Sequence, residues 1–245
     1  MTHKIMKTLC LLSVFFYVSL VQAKVYLVTV GISDYSGTKN DLRLAYNDAA
    51  TMQWLYKENR NSSTKLLMNE KATVANVKSA MQDMFGRASA NDIVVFYFSG
   101  HGIKGGFACY DGFLRYGDIS KIMSSSKSKN KMIFADACFS GAFRDNSKVS
   151  SKYKSLGNNI MLFLSCRSNE LSIENPKKTN GLFTYALQHG LRGGADVDRD
   201  SVVTAKELFN YVSTKVNKDS NGKQHPVMWG KFPNKMPVMK WKKDE

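Results

Sequence analysis

The segment Asp92–Gly102, with the sequence DIVVFYFSGHG, joins an unbroken apolar run to a histidine that stands between two glycines. Central strands of a parallel sheet are buried on both faces and carry continuous apolar runs, so Asp92 to Phe98 predicts such a strand. A second run, Lys131 to Ala135 (KMIFA), leads into Asp136-Ala137-Cys138. These two segments predict buried strands that end in polar and reactive residues.

Strand-like and helix-like segments alternate along the rest of the chain. Further apolar runs predict strands at Lys24 to Ile32, Thr64 to Met68 and Asn159 to Leu164, and an edge strand at Val238 to Trp241. Helical spacing of apolar residues predicts helices at Leu42 to Glu58, Thr73 to Ala88, Tyr116 to Ser124, Leu182 to Leu191 and Ala205 to Lys215. This alternation predicts an α/β fold with a mostly parallel sheet flanked by helices. With 43% hydrophobic residues, the composition excludes a disordered or fibrous chain.

The first 23 residues have the order of a secretory signal peptide. Lys4 and Lys7 precede an apolar run from Leu9 to Val21, and small residues stand at Val21 and Ala23. We therefore expect cleavage before Lys24 and a secreted or periplasmic mature protein. A bilayer span needs about 20 apolar residues, so a retained anchor is the less favoured interpretation, and no stable membrane anchor is expected after cleavage.

The chain is strongly basic. It carries 35 Lys and Arg against 20 Asp and Glu, a net charge of +15, which is compatible with acidic partners. The lysines are spread through predicted loops, without a basic stripe or interleaved aromatic residues, so no binding of nucleic acid is expected. Binding of nucleic acid or of anionic envelope polymers is thus the weakest of the functional alternatives.

A histidine and a cysteine follow the two buried runs. In open α/β sheets, ligands bind outside the carboxyl ends of strands, so His101 and Cys138 meet there if their strands are neighbours. An imidazole can deprotonate a thiol, stabilise the thiolate nucleophile and protonate a leaving amine. Gly102 leaves its backbone N–H open toward a developing oxyanion. Taken singly, each residue has a structural interpretation, as a small core hydrophobe or a structural histidine.

The other cysteines do not form a recognisable framework. Without Cys10 of the predicted signal peptide, Cys109, Cys138 and Cys166 remain, and an odd number leaves at least one thiol unpaired or paired between chains. The chain has no Cys-x-x-Cys motif that would support a zinc site or a redox pair. Whether Cys109 and Cys166 pair stays open.

Three segments together carry a family resemblance: Val30-Gly31-Ile32-Ser33-Asp34-Tyr35 with Leu42 and Asn47-Asp48-Ala49, then Tyr97-Phe98-Ser99-Gly100-His101-Gly102, then Asp136-Ala137-Cys138-Phe139-Ser140-Gly141. Their order and spacing resemble the caspase-like cysteine peptidases (clan CD, peptidase C14), within them the bacterial metacaspase or orthocaspase type. The resemblance implies a caspase-haemoglobinase fold with a sheet of about six strands and helices on both faces. The corresponding domain would span residues 24–245.

The resemblance also implies a chemistry. It implies an endopeptidase with a His101/Cys138 dyad, an acyl-enzyme intermediate, and an oxyanion hole made by the backbone N–H groups of Gly102 and Cys138. No cofactor is required for this chemistry. The competing function is a catalytically silent binding or scaffold module of the same fold, which the presence of both dyad residues disfavours.

The family pattern further implies specificity for arginine or lysine before the scissile bond, the P1 position. Its pocket residues map onto Asp48, Ser99 and Asp136, and two carboxylates would bind a guanidinium or ammonium group by charge-assisted hydrogen bonds. Peptides or proteins with Arg or Lys at P1 are the expected partners. In isolation, Asp48 would be interpreted as a helix-surface acid and Asp136 as a strand-end cap.

The segment Phe143 to Ser155 (FRDNSKVSSKYKS) lacks an apolar period and predicts an exposed loop. Family members are commonly cleaved after the strand that carries the cysteine. An enzyme specific for basic P1 residues would find four self-cleavage candidates in the loop: Arg144, Lys148, Lys152 and Lys154. The alternative is a solvated loop whose lysines keep it soluble.

A last constellation has the spacing of a calcium-binding EF-hand loop. The candidate ligands are Asp196, Asp198, Asp200, Thr204 and Glu207, counted at loop positions 1, 3, 5, 9 and 12. Ser201 stands at position 6, where the pattern requires glycine. The alternative, which the missing glycine favours, is an acidic turn in which Thr204 caps a helix and Glu207 completes a capping box.

Overall fold

The computed structural model describes residues 23–59, 61–103, 105–137, 159–167, 170–174 and 178–241. Its strands, in chain order, are β1 (Val25–Gly31), β2 (Ser62–Met68), β3 (Ile93–Ser99), β4 (Gly102–Ile103), β5 (Gly106–Cys109), β6 (Gly112–Arg115), β7 (Asn130–Asp136), β8 (Ile160–Leu164), β9 (Val202–Thr204), β10 (Val227–Gly230) and β11 (Pro237–Lys240). Its α-helices are α1 (Ala45–Glu58), α2 (Val74–Gly86), α3 (Tyr116–Ser125), α4 (Leu182–His189) and α5 (Ala205–Asp219). The predicted loop 143–155 and all of the predicted signal peptide except Ala23 lie outside the described residues.

The central sheet has six strands in the order β10-β8-β7-β3-β1-β2. Every pairing within it is parallel except that of β10 with β8. The strands buried on both faces are those with continuous apolar runs, because alternate residues of one strand enter opposite cores. In β3, Val94, Phe96 and Phe98 face one core, whereas Ile93, Val95 and Tyr97 face the other.

The helices cover both faces of this sheet. Buried residues of α2 and α3 belong to one hydrophobic core, and buried residues of α1, α4 and α5 belong to the other. The prediction of an α/β fold with a mostly parallel sheet flanked by helices on both faces is thereby confirmed. Among the described residues, no helix is long and apolar enough to cross a membrane.

The predicted C-terminal edge strand forms, but it does not belong to the central sheet. Residues 237–240 do form a strand, but β11 pairs antiparallel with β9 in a separate two-stranded sheet. The edge of the central sheet is instead β10, at Val227–Gly230. The segment of β10 is only four residues long and partly exposed, so it has no apolar run by which the sequence could identify it.

A small antiparallel sheet, β4-β5-β6, follows the end of β3. Its strands are two to four residues long and rich in glycine, which is typical of a loop in a sequence. Phe107 of β5 stacks on Phe98 of β3 with ring centroids 4.3 Å apart. This contact holds the small sheet against the core, directly beyond the segment that carries His101.

The close packing of α1 on β1 brings the helix to the carboxyl end of the sheet. A Cβ at Gly31 would lie only 2.4 Å from the carbonyl oxygen of Ala45, so the first turn of α1 requires glycine at the end of β1. Ser33 Oγ accepts a hydrogen bond from the N–H of Tyr46 at 3.0 Å and satisfies one open donor of the first turn. Asp48 is thereby positioned above the strand ends.

Candidate active site

The carboxyl ends of three neighbouring strands lie side by side. Ser99 is the register partner of Gly31 on β1 and of Asp136 on β7. The backbone N–H of Gly100 donates to the carbonyl oxygen of Asp136 at 3.2 Å, so the pairing extends past the end of β3. The strands that precede His101 and Cys138 are therefore neighbours, which is the condition under which these residues were expected to meet.

Asp48 is buried above the strand ends, with 3% of its surface exposed. Its Oδ2 accepts a hydrogen bond from the hydroxyl of Ser99 at 2.9 Å. Its Oδ1 accepts from the side-chain amide of Asn180 at 2.9 Å and from the backbone N–H of Gly181 at 3.0 Å. The burial of Asp48 thus differs from the exposed position on a helix surface that the residue would be given in isolation.

Asp136 is buried beside it, with 6% of its surface exposed. Its Oδ1 accepts a hydrogen bond from the hydroxyl of Ser172, and its Oδ2 accepts from the hydroxyl of Thr184 at 2.6 Å and from the backbone N–H of Thr184 at 3.2 Å. The hydroxyl of Thr184 also lies 2.6 Å from that of Tyr97. The groups that donate these hydrogen bonds to Asp48 and Asp136 are all uncharged.

Gly181 lies against both carboxylates. A Cβ at this position would lie 2.7 Å from Asp136 Oδ2 and 3.4 Å from Asp48 Oδ2. Both carboxylates therefore approach the same point, and only a residue without a side chain leaves that point open. The structure brings together Asp48, Ser99 and Asp136, the three residues predicted for a pocket that binds a basic side chain.

The electrostatic environment of this acidic pair raises the pKa of both carboxyl groups. For Asp48, burial is the largest cause and the charge of Asp136 adds to it, while hydrogen bonds from Asn180, Ser99 and Gly181 act in the opposite direction. For Asp136, burial again raises the pKa most, and hydrogen bonds from Ser172 and Thr184 lower it. The environment thus disfavours two negative charges unless a cation is present.

The imidazole of His101 is held by a backbone carbonyl. Its Nε2 lies 2.7 Å from the carbonyl oxygen of Asn40, and because a carbonyl can only accept, this nitrogen carries the hydrogen. Nδ1 is then the unprotonated nitrogen of the neutral ring. The backbone N–H of His101 donates to the phenol oxygen of Tyr35 at 2.9 Å, and the two rings are in contact with centroids 4.9 Å apart.

Cys138 and the four predicted self-cleavage residues, Arg144, Lys148, Lys152 and Lys154, lie outside the described residues. The residue that precedes the cysteine is fixed, because the N–H of Ala137 donates to Ser165 Oγ at 3.2 Å and the hydroxyl of Ser165 donates to the carbonyl oxygen of Ala137 at 3.2 Å. Gly102, predicted to donate its N–H to an oxyanion, lies half-buried in β4 opposite Phe107. The oxyanion hole stays a prediction.

The two other cysteines of the predicted mature chain, Cys109 and Cys166, are both buried and are not bonded to each other. Burial raises the pKa of the Cys109 thiol to about 12. A thiol with so high a pKa is almost entirely protonated at neutral pH and is a poor nucleophile. Cys109 is therefore a core residue.

The acidic turn before α5 contains the predicted capping box. Thr204 is the N-cap: its hydroxyl oxygen accepts from the N–H of Glu207 at 3.4 Å, and Glu207 Oε2 accepts from the N–H of Thr204 at 3.0 Å. Burial acts to raise the pKa of the Glu207 carboxyl group, but hydrogen bonds that it accepts from the hydroxyl of Thr204 and from the N–H groups of Thr204 and Val197 lower this pKa overall. The capping interpretation is confirmed.

The predicted calcium ligands are only partly brought together. Carboxylate oxygens of Asp196, Asp198 and Glu207 lie within 4.8 Å of one another, and a set of hard oxygen donors fits calcium. Asp200 is not part of this group; its Oδ1 accepts from the N–H of Val202 at 2.7 Å. Ser201 adopts φ 70°, the left-handed conformation for which glycine is expected at that loop position. The capping box and the acid group share Glu207.

Several residues of the site have no sequence signal that would identify them. They are Asn40, which acts through its carbonyl, and Ser172, Asn180, Gly181 and Thr184, which hold the acidic pair. Asn180-Gly181 predicts only a turn. Tyr35 belongs to the first segment of the family resemblance but had no assigned role.

Comparison with known proteins places this site in a family. The sequence matches the family described as caspase domain, peptidase C14, over residues 24–236. The fold is similar to that of the protein GSU0716 from Geobacter sulfurreducens, with a TM-score of 0.65 and 16% identity, over 88% of this chain and 97% of that chain. It is also similar to caspase-1 from Spodoptera frugiperda, with a TM-score of 0.64 and 14% identity, over 86% of this chain and 88% of that chain.

No curated protein sequence matches the chain. The two similar structures have low sequence identity and bear on the fold alone, and they confirm the predicted caspase-type fold. The family match covers most of the chain and agrees with the resemblance seen in the three sequence segments. The chain therefore belongs to the peptidase C14 family of cysteine peptidases with a caspase domain.

Proposed function

We propose that the protein is a secreted cysteine endopeptidase that cleaves peptide bonds after arginine or lysine, as metacaspases do. The observation that carries the specificity is the pair of buried carboxylates, Asp48 and Asp136, whose hydrogen-bond donors in the described part of the chain are all neutral. A guanidinium or ammonium group supplies the charge that this pair lacks. An aspartate at P1, the choice of caspases proper, would bring a further negative charge to this acidic pair.

The proposed reaction uses His101 as the base and Cys138 as the nucleophile. Asn40 holds the hydrogen of His101 on Nε2, so Nδ1 accepts the proton of the Cys138 thiol. The thiolate attacks the carbonyl carbon of the scissile bond, and the backbone N–H groups of Gly102 and Cys138 stabilise the oxyanion. The imidazolium protonates the leaving amine as the C–N bond breaks, and an acyl-enzyme remains.

Water completes the cycle. His101 Nδ1 removes a proton from a water molecule, which attacks the thioester carbonyl, and the same proton returns to the Cys138 sulfur as the acid product leaves. No metal or redox cofactor takes part in these steps. The P1 side chain binds between the two carboxylates throughout, so its contribution is to position the scissile bond.

Hydrolysis of fluorogenic peptides that end in Arg, Lys or Asp tests this function. We expect turnover of the Arg and Lys peptides, none of the Asp peptide, and none by Cys138→Ala. Cys109→Ala is the matched control and should retain activity, because Cys109 is a buried core thiol. Preference for Asp would refute the acidic pocket. Absence of turnover in the presence of calcium and reductant would favour the scaffold alternative.

We also propose export through residues 1–23 and self-processing in the loop 143–155. The basic residues Arg144, Lys148, Lys152 and Lys154 are the candidate cleavage sites. Intact-mass measurement of the exported protein should show an N-terminus at Lys24. A fragment pair present in the wild type and absent from Cys138→Ala would show self-processing, whereas an identical mass in both would exclude it.

A further inference from the structure

The acidic pair of Asp48 and Asp136 is buried without a paired positive charge among the described residues. The two carboxylates are more than nine-tenths buried, and both lie against Gly181. Their donors among the described residues are hydroxyl groups, one side-chain amide and two backbone N–H groups, which are all neutral. No ion pair among the described residues includes either carboxylate.

Within the described part of the chain, the charged and titratable groups named near the pair do not compensate its charge. Glu174, from the segment before α4, adds negative potential; its carboxylate accepts the N–H of Leu44 at 3.0 Å and lies 3.9 Å from Arg43 Nε. Tyr97 on β3 is fully buried and its hydroxyl is bound to Thr184.

Two negative charges in such an environment are costly. Burial removes the solvation of each carboxylate, and neutral hydrogen bonds replace only part of it. Two acids that interact this strongly lose their protons in separate steps that belong to the pair. Burial and mutual repulsion both act in the same direction, toward retention of a proton.

We propose that, in the absence of substrate, the pair of Asp48 and Asp136 holds one proton, and that this proton is released to solvent when the P1 cation binds. This inference rests on the proposed function of the same pocket. The exchange is balanced: the pair loses one proton and gains one guanidinium or ammonium group, so the net charge of the pocket is unchanged. No covalent bond other than the O–H bond is broken.

Proton release makes affinity for a basic P1 residue depend on pH. Below the upper titration step of the pair, protons compete with the cation, so affinity rises about tenfold per pH unit and then levels off. The dependence belongs to binding of the P1 side chain and not to the chemistry of the dyad. Acidification would therefore weaken substrate binding in an otherwise intact enzyme.

The proposal is tested by calorimetry on the full-length mature chain with Cys138→Ala, which removes turnover. The probe is Nα-acetyl-arginine amide, titrated from about pH 5 to about pH 9 in two buffers that differ in ionisation enthalpy. We expect about one proton released per ligand at low pH and a tenfold slope in affinity. A second substitution in the same protein, Asp48→Asn, should abolish both the proton release and the pH dependence of the affinity. Asp83→Asn, at an exposed site, is the control and should preserve both.

A second measurement does not depend on ligand binding. Carbon-13 spectra of the aspartate carboxyl groups in the substrate-free protein should show one titration step above the ordinary carboxyl range, reported by the signals of both groups and assigned through Asp48→Asn and Asp136→Asn. Titration of both groups in the ordinary carboxyl range would overturn the proposal. Binding of the probe with a flat affinity and no proton release would also overturn it, and would leave the proposed function intact. Absence of binding at every pH would overturn both.

Discussion

The phenol oxygen of Tyr35 accepts a hydrogen bond from the backbone N–H of His101 at 2.9 Å, and its hydroxyl donates to the carbonyl oxygen of Ala108 at 3.2 Å. The space it occupies explains the glycine before the histidine, because a Cβ at Gly100 would lie 2.6 Å from the Tyr35 oxygen. The N–H of Tyr35 in turn donates to Asp41, the residue after Asn40. Tyr35 is thus hydrogen-bonded both to the backbone of His101 and to the neighbour of Asn40, whose carbonyl holds the imidazole.

Tyr35→Phe should slow turnover without weakening substrate binding. The ring contact with His101 is kept, but the His101 N–H loses its acceptor, and an unsatisfied donor costs about 1–3 kcal/mol. We expect kcat for an Arg peptide to fall about tenfold, with KM unchanged. Tyr110→Phe, at an exposed tyrosine, is the control. An unchanged kcat would show that Tyr35 does not position the histidine.

Asp136→Asn should weaken recognition of a basic P1 residue. It removes one of the two negative charges and keeps a side chain of the same shape. Charge-assisted hydrogen bonds contribute about 1.5–3 kcal/mol, so we expect kcat/KM for Arg peptides to fall about 10- to 100-fold. Steady-state kinetics at a pH where the wild type is fully active measures this. Equal losses for a peptide with a neutral P1 residue would contradict the assignment.

Gly181→Ala should place a methyl group against both carboxylates. The backbone of Gly181, at φ −55° and ψ 153°, accepts alanine without strain, so the expected effect is steric. The new methyl group would stand 2.7 Å from Asp136 Oδ2. We expect a loss of about tenfold or more in kcat/KM for Arg peptides, from an overpacking cost of about 1–3 kcal/mol.

The matched control for this substitution is Gly117→Ala in α3, where an added Cβ meets no atom within 4 Å. This variant should have wild-type activity. If the two alanine variants cleave Arg peptides equally well, the space beside Gly181 is not the P1 site.

Asp48→Asn should change how stability depends on pH. Burial raises the pKa of Asp48 in the folded state, so its contribution to stability is complete below the unfolded-state pKa and is lost as the pH rises through the folded-state pKa. The free energy of unfolding of the wild type should therefore fall with rising pH, by at most about 1.4 kcal/mol per pH unit for one proton. The asparagine variant should fall less.

Urea denaturation at a series of pH values measures this difference. Asp83→Asn, at an exposed residue paired with Arg87, should follow the wild type. Parallel curves for the wild type and Asp48→Asn would contradict the raised pKa.

Thr204→Ala should destabilise the start of α5. The capping box satisfies open backbone donors of the first turn, and removal of an N-cap hydroxyl costs about 1 kcal/mol. Thermal or urea unfolding should show this loss, and Thr204→Ser should restore most of it. Loss of the same size in Thr204→Ser would argue against the cap.

Calorimetry tests whether the same loop binds calcium. Heat of binding at millimolar calcium that persists in Thr204→Ala and vanishes in Asp196→Asn would assign a calcium site to the group of Asp196, Asp198 and Glu207. No heat in the wild type would leave the capping box as the single role of Glu207.

Much of the fold was predictable because its information is local. The buried runs at the positions of β1, β3, β7 and β8 are continuous in sequence, and a strand between two cores requires apolar residues on both faces. The edge strand β10 and the small sheet β4-β5-β6 were missed because they are short and partly exposed. These strands are held by pairing with other strands in the tertiary structure, and no local residue pattern identifies them.

The sequence by itself determined which residues stand at the ends of two buried apolar runs. Ser99 and His101 follow one run, and Asp136 and Cys138 follow the next. Only the tertiary structure decided what surrounds them. Asn40 reaches His101 across 61 residues through a carbonyl that every residue type possesses, and Asn180 reaches Asp48 across 132 residues. Such contacts leave no pattern in the chain, because folding, and not sequence spacing, brings their partners within hydrogen-bond distance.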